Sequence, residues 1–251
     1  MKTKKLAKTF AQEPAAQQRK LWLKELESIS TRKDLRHLFA DFCELAALAI
    51  SNRYDLHRYD AREARYMAIM GLYKEPERPR LFGELFSKLL MMVDSDRWHD
   101  LLGTLYEENG FTSKHLDQYF TPWPLCQLMA QMTITGEFYA KEYSTVLDPA
   151  CGSGRLILAA AEVANNDAYN PKTRMHFTAV DVDAKMVHMT YIQLSLLGFP
   201  GMVRHGNGLV SSEQDGLWFT PAHVMGDWST RLKTPPGVRP NFQPVALLEN
   251  A

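Results

Sequence analysis

The chain has 251 residues, with 29 Lys plus Arg balanced by 29 Asp plus Glu, 45% hydrophobic and 23% charged residues. This is ordinary globular composition at a length that needs neither metal nor disulfide to hold a core. The most apolar stretch, residues 45–50, is broken by Asn52, Arg53 and Asp55, which excludes a membrane-spanning helix.

The basic start, Met1-Lys-Thr-Lys-Lys, is followed by no apolar stretch of signal-peptide length, so a cytoplasmic location is expected. Cys43, Cys126 and Cys151 are widely spaced and form no CxxC or Cys/His pairing, which argues against a disulfide framework or a zinc site. Residues 1–18 show little apolar periodicity and read as a mobile basic arm. Up to Arg36 ten positive side chains face four negative ones. Such a run either tracks nucleic-acid phosphates or is a solvated face.

Residues 19–115 read as a helical segment. Leu21, Leu23 and Leu26 precede Ser30-Thr31, a candidate cap, and Leu35, Leu38, Phe39, Phe42, Leu45 and Leu48 then recur at helical steps. Residues 59–73 and 81–107 repeat the signal, separated by Glu75-Pro-Glu-Arg-Pro-Arg80, and Asn109-Gly110 is a helix stop. Residues 116–210 change texture. Strand-like runs at 144–147, 176–180 and 202–205 alternate with helical ones at 155–165 and 184–197. That order predicts a parallel sheet with right-handed crossovers, a doubly wound α/β domain. Residues 211–251 carry Pro221, Pro235, Pro236, Pro240 and Pro244 and read as an irregular Pro-rich segment with little room for a central strand.

The densest motif is Leu147-Asp-Pro-Ala-Cys-Gly-Ser-Gly154. An apolar strand runs into Asp148, a turn follows at Gly152 and Gly154, and a helix opens at Arg155. The turn therefore sits at the carboxyl edge of the sheet, where ligands of open α/β folds bind. Ile157 stands where a pyrophosphate-binding GxGxxG would need its third glycine. A carboxylate at the strand tip instead suits a ligand with a positive charge near a ribose, and S-adenosylmethionine is such a ligand.

Asp181, at the tip of the second strand in Val180-Asp-Val-Asp183, is placed to accept hydrogen bonds from ribose hydroxyls, whereas Asp183 is an N-cap candidate. Asn207, in His205-Gly-Asn-Gly208, either reads a base edge or forms a turn. Thr121, before Pro122, is first a helix cap, and the helix start behind it can also hold a carboxylate.

Taken in order, Gln118-Tyr-Phe-Thr-Pro122, the Asp148 loop, Val180-Asp-Val-Asp183, Met189-Thr-Tyr-Ile-Gln-Leu-Ser-Leu-Leu-Gly198 and Gly206-Asn207 resemble the N6-adenine DNA methyltransferase family. The similarity is greatest to the methylation subunits of type I restriction-modification systems and their plasmid or phage-borne relatives. It covers residues 98–210. The resemblance implies a Rossmann-like S-adenosylmethionine-dependent methyltransferase core with an all-helical N-terminal segment. It implies that Thr121 and Pro122 flank the methionine moiety, and that Asp148, Pro149, Ala150, Gly152 and Gly154 hold it. Asp181 with Val182 would serve the ribose and Asn207 would lie near the adenine. DNA is the implied substrate, and a specificity or restriction subunit the implied partner.

One element of the family is missing. Its enzymes carry an Asp/Asn/Ser-Pro-Pro-aromatic tetrad after the fourth strand, whose oxygens accept hydrogen bonds from the amine of a flipped adenine while the ring stacks on the base. Here that place reads Gly216-Leu-Trp-Phe-Thr-Pro-Ala-His-Val-Met-Gly-Asp-Trp228. Asp227 and His223 are the stand-in candidates, and Trp218, Phe219 and Trp228 serve either stacking or packing. Three readings follow: a DNA adenine methylase whose amine acceptor has diverged or comes from a partner, an inactive homologue acting as a regulatory, decoy or anti-restriction factor, and a methylase of another substrate.

Overall fold

The computed structural model describes residues 10–29, 33–73, 78–111, 120–166, 168–209 and 216–233. The helical segment begins earlier than expected. Helix α1, Ala15–Glu27, buries Gln18, Trp22, Leu23 and Leu26, and Phe10 is buried ahead of it. Residues 10–18 are thus held at Phe10 and Gln18 while most of those between are exposed: Gln18 Nε2 donates to Glu13 O (2.8 Å), and Phe10 lies beside the Lys88 ammonium. Residues 1–9 lie outside the described residues. The basic excess is also partly neutralised, since Arg19 pairs with Glu108 (2.7 Å) and Lys33 with Asp41.

Helix α2, Leu35–Tyr54, is capped by Asp34, whose side chain accepts from His37 N–H, and the expected cap at Ser30-Thr31 lies outside the described residues. A single 3-10 turn, Leu56–Arg58, leads to α3, Tyr59–Met70. The expected helix over 81–107 is two helices, α4 (Arg78–Ser95) and α5 (Leu101–Glu108). Asp100 makes the break, because its side chain caps Gly103 N–H at the start of α5 (2.9 Å). Trp22 is the centre of this helical layer. Its ring meets Phe42 edge-on at 4.8 Å, and its Nε1–H donates to Leu85 O (2.9 Å).

Helices α6 (Trp123–Thr133) and α7 (Gly136–Ala140) lead into the sheet. Strand β1 (Ser144–Asp148), α8 (Arg155–Asn166), the short α9 (Pro171–Arg174), β2 (Met175–Asp181), α10 (Ala184–Leu197) and β3 (Gly201–His205) follow, close to the boundaries expected from sequence. Asp183 caps α10 by accepting from Lys185 N–H, and Gly198 ends it in the left-handed conformation at φ 73°.

The sheet order is β1-β2-β3-β4, with the first three strands parallel. Both crossovers step in one direction, so α8 and α10 lie on the same face, and α10 carries the helical layer through its contacts with α2, α4 and α5.

The segment from 211 is not irregular where it is described. Strand β4 (Leu217–Phe219) pairs antiparallel with β3, and α11 (Pro221–Met225) and α12 (Trp228–Lys233) follow. Pro221 is tolerated because it lies beyond β4, at the first turn of α11 behind the Thr220 cap. Trp218 and Trp228 are both buried. Trp218 lies under the Arg62 guanidinium and against Tyr191, and Trp228 packs on Tyr143 and His176.

Trp22 fills the helical core with both its ring and a satisfied N–H. Trp22→Ala is expected to lower unfolding free energy by about 3 to 5 kcal/mol in a urea titration.

Candidate functional site

Asp148 and Asp181 end neighbouring parallel strands, and the loop between β1 and α8 is folded over the tip of β2. Cys151 N–H donates to Val180 O (2.9 Å), and Gly152 N–H donates to Asp181 Oδ2 (2.8 Å). Asp181 Oδ1 accepts from Asp183 N–H (2.9 Å), so both oxygens of this carboxylate brace the loops beside it. Asp148 Oδ1 accepts from Ala150 N–H (3.1 Å). Burial pushes the Asp148 carboxyl up, opposed by the Ala150 N–H, and the Asp181 charge pushes it further. Burial likewise raises Asp181, against the two N–H groups that favour its anion.

Gly152 and Gly154 have φ of 53° and 96°, conformations that side chains other than glycine rarely adopt. Neither has room beneath it. A Cβ on Gly152 would lie 3.1 Å from the Phe120 ring, and one on Gly154 would lie 3.1 Å from Thr190 Oγ1, which itself donates to Gly152 O (2.8 Å). The third loop reaches the same place. Gly206 N–H donates to Asp181 O (2.8 Å), and Gly208 passes so close to Pro149 O that a Cβ would lie 2.1 Å away. Asn207 is exposed there and accepts from Leu209 N–H (2.9 Å), the turn-forming option. Val182, Pro149 and Ala150 line the exposed rim.

Thr121 and Pro122 are exposed next to this cluster, but Thr121 is not the cap. Pro122 is the N-cap residue of α6, with ψ 139°, and the helix starts at Trp123 with Pro124 in its first turn. The helix opens one position later than expected, with Pro122 itself holding the extended N-cap backbone, so Thr121 lies outside it. Its carbonyl is used instead, accepting from the Arg155 guanidinium (3.2 Å). Gln118 and Tyr119 lie outside the described residues.

Sequence reasoning missed the support beneath the loop. Asp100, 2% exposed, accepts from Gly103 N–H, Ser153 Oγ–H (2.5 Å), Arg155 Nε–H (2.9 Å) and Gln193 Nε2–H (2.9 Å). Gln193 also donates to Ser153 O (2.7 Å), and Arg155 pairs with Glu107 (2.7 Å). Burial works against the Arg155 charge, yet Asp100 and Glu107 outweigh it and hold its pKa above the usual value. The available signal was Asp100 ahead of an apolar helix, the pattern of a cap.

His223 and Asp227 do not join the cluster. Strand β4 runs antiparallel to β3, so the chain returns to the amino ends of the parallel strands before entering α11. There His223 Nδ1 meets His176 Nε2 (2.8 Å) and its Nε2 meets Ser229 Oγ (2.9 Å), while Asp227 accepts from Thr230 Oγ1–H (2.9 Å). His176 and Asp181 are five residues apart on β2, a separation of about 17 Å at the usual rise. Among the described residues no group of acidic, His or Cys side chains could hold a metal ion. No described helix is long and apolar enough to cross a membrane.

With this geometry in view, the sequence matches the N-6 DNA methylase family over residues 97–230, more than half of the chain. The chain belongs to the N-6 DNA methylase family, whose members are S-adenosylmethionine-dependent methyltransferases. Among solved structures it is similar to a Listeria monocytogenes protein assigned to the class I S-adenosylmethionine-dependent methyltransferases, at 14% identity and TM-score 0.49, over 86% of this chain and 71% of that one. It is also similar to the methyltransferase subunit of a type I restriction-modification system from Streptococcus thermophilus, at 13% identity and TM-score 0.39, over 83% of this chain and 61% of that one.

Asp100→Ala leaves four donors without their acceptor and is expected to cost about 3 to 5 kcal/mol of stability, the range for breaking a buried charge pair. A loss below about 1 kcal/mol in urea unfolding would show that the network is not structural.

The buried histidines predict a pH dependence. Burial lowers His188 to about 4 and also lowers His176 and His223, so all three fold as neutral rings. A base whose folded pKa is depressed stabilises the fold above its unfolded value near 6.5, and that stability is lost as pH falls through the folded value. Urea midpoints are expected to drop between about pH 6.5 and pH 4, with a shallower drop in His223→Gln.

Proposed function

We propose that this chain binds S-adenosylmethionine at the carboxyl edge of its sheet and serves DNA adenine-N6 methylation as the cofactor-binding part, with the adenine's hydrogen-bond acceptor supplied by another polypeptide. The observation that carries the reading is the pair of carboxylates, buried Asp148 and half-buried Asp181, on adjacent strand ends around a loop whose glycines adopt positive φ. The donor set fits the ligand. Two acidic groups repel a pyrophosphate and favour an ammonium and a sulfonium, and the nearby Arg155 is engaged by Asp100 and Glu107.

Asp148 would hold the methionine end, with Pro149, Ala150, Gly152 and Gly154 providing close backbone approach and Thr121 and Pro122 closing the side. Asp181 and Val182 would meet the ribose, and Asn207 the adenine. When bound, S-adenosylmethionine supplies an electrophilic methyl group; this chain's residues bind and orient it. DNA is the substrate class the family suggests.

The placement of His223 and Asp227 at the opposite end of the sheet favours a second reading, an inactive homologue that binds cofactor and regulates or decoys. The two separate on methyl transfer from labelled S-adenosylmethionine to mixed DNA, with the chain alone and with a candidate specificity or restriction subunit. Transfer only with the subunit supports the first reading. Absence in both supports the second.

Both readings require the pocket. Calorimetric titration with S-adenosylmethionine should show binding to the wild-type chain, and Asp148→Ala should weaken it by about 1.5 to 3 kcal/mol, the range of a charge-assisted hydrogen bond. An unchanged Kd in that variant overturns the assignment of Asp148.

A further inference from the structure

A second polar constellation lies at the amino ends of the parallel strands, away from the carboxylates. His176 on β2, 1% exposed, meets His223 of α11 (Nε2 to Nδ1, 2.8 Å), and His223 Nε2 meets Ser229 Oγ of α12 (2.9 Å). The middle ring is held from two sides, stacked on Phe219 at 4.6 Å and edge-on to His176, while Thr220 Oγ1 accepts from its backbone N–H. A tight turn between the two helices brings Ser229 back onto His223. In it Asp227 holds φ 47°, which residues other than glycine rarely adopt, and a Cβ on Gly226 would lie 2.8 Å from Ala222 O. Strain of that kind persists only where the surrounding structure fixes it.

A buried imidazole needs hydrogen-bond partners, and the two histidines supply one another. The other partner of His223 is of a different kind. Ser229 is exposed, and it lies with His223 on the wall of a cavity of about 380 Å³ that also takes in Tyr54, Leu56, Arg58 and Phe219. The hydroxyl thus joins a buried ring to open space. Burial keeps both rings neutral. A hydroxyl on a neutral imidazole that a third group orients is the arrangement that activates a serine for attack.

We propose that Ser229, His223 and His176 form a hydrolytic site for small apolar carboxylic esters, with Ser229 the nucleophile, His223 its general base and His176 the positioning residue. Two neutral tautomers satisfy the histidine pair. The reactive one carries its proton on His223 Nδ1, which donates to His176 Nε2 and leaves His223 Nε2 to accept from Ser229. Ser229 Oγ bonds to the ester carbonyl carbon as its proton passes to His223 Nε2. Collapse of the tetrahedral adduct breaks the bond to the alcohol oxygen, which leaves with that proton. Water then adds to the acyl-serine by the same route, releasing the carboxylic acid and restoring the serine. Tyr54, Leu56 and Phe219 give the acyl chain an apolar wall, and half-buried Arg58 offers N–H donors to the oxygen that becomes negative. The site lies at the opposite end of the sheet from Asp148 and is independent of the cofactor reading.

The test uses the full-length chain with p-nitrophenyl butyrate, and separately with an alkyl fluorophosphonate, which phosphonylates an activated serine with loss of fluoride. Wild type is expected to turn over the ester and to carry the phosphonyl group on Ser229, located by peptide mass spectrometry. Ser229→Ala removes one exposed hydroxyl and should lower kcat/KM ~100-fold or more. His223→Gln should do the same and leave Ser229 unlabelled. His176→Phe should lower kcat with KM unchanged, and an unaltered kcat overturns its positioning role. Circular dichroism checks that each variant is folded, and Ser229→Ala decides alone where a histidine variant is not. The proposal is overturned if wild type does not hydrolyse the ester, if Ser229 stays unlabelled, or if Ser229→Ala keeps the wild-type rate.

Discussion

The structure depends on how one buried carboxylate is satisfied. Asp100 belongs to the helical segment, yet its four donors come from its own helix start, the glycine loop, α8 and α10. An ionised carboxylate out of water is tolerable only when paired and hydrogen-bonded, so the helical layer and the methyltransferase-like core cannot separate without exposing or orphaning it. The packing leaves no slack. A Cβ on Gly103 would lie 1.9 Å from Asp100 Oδ2 and 2.4 Å from Ser153 Oγ. The helical segment is thus the buttress of the candidate site, holding Ser153 and Arg155 so that Gly152 and Gly154 present backbone at the sheet's edge.

What was legible in the sequence follows from where the information lies. The strand-turn-helix around Asp148 and the capped helix after Asp183 are local, set by adjacent residues with strong preferences, and their boundaries agree with the structure within about two residues. The Asp100 network joins positions 53 to 93 residues apart, and no periodicity reports such a meeting. Phe10 and Gln18 were misread for the same reason, since one buried ring and one bonded amide hold a polar-looking stretch to the core. The prolines after residue 220 argue against a central strand, and Pro221, the one of them among the described residues, sits where a proline helps a helix begin.

The direction of β4 has the largest consequence for function. A doubly wound sheet forms its ligand crevice where successive strands step away to both sides. Here β1, β2 and β3 step one way, and β4 closes the far side of β3 in the antiparallel sense. That single reversal carries His223 and Asp227 to the amino ends of the strands, where His223 spends its ring nitrogens on His176 and Ser229. The residues nearest in sequence to the family's amine-binding tetrad are therefore the ones the fold withdraws from the carboxylates.

Among the described residues every later strand lies on the β3 side, so β1 is paired on one flank only, and the exposed stripe of α6, Leu125, Leu128, Met129 and Met132, is covered by no described element. In a parallel sheet the strand at the ligand's centre is normally buried on both faces. Here Leu147 is exposed beside the buried Asp148.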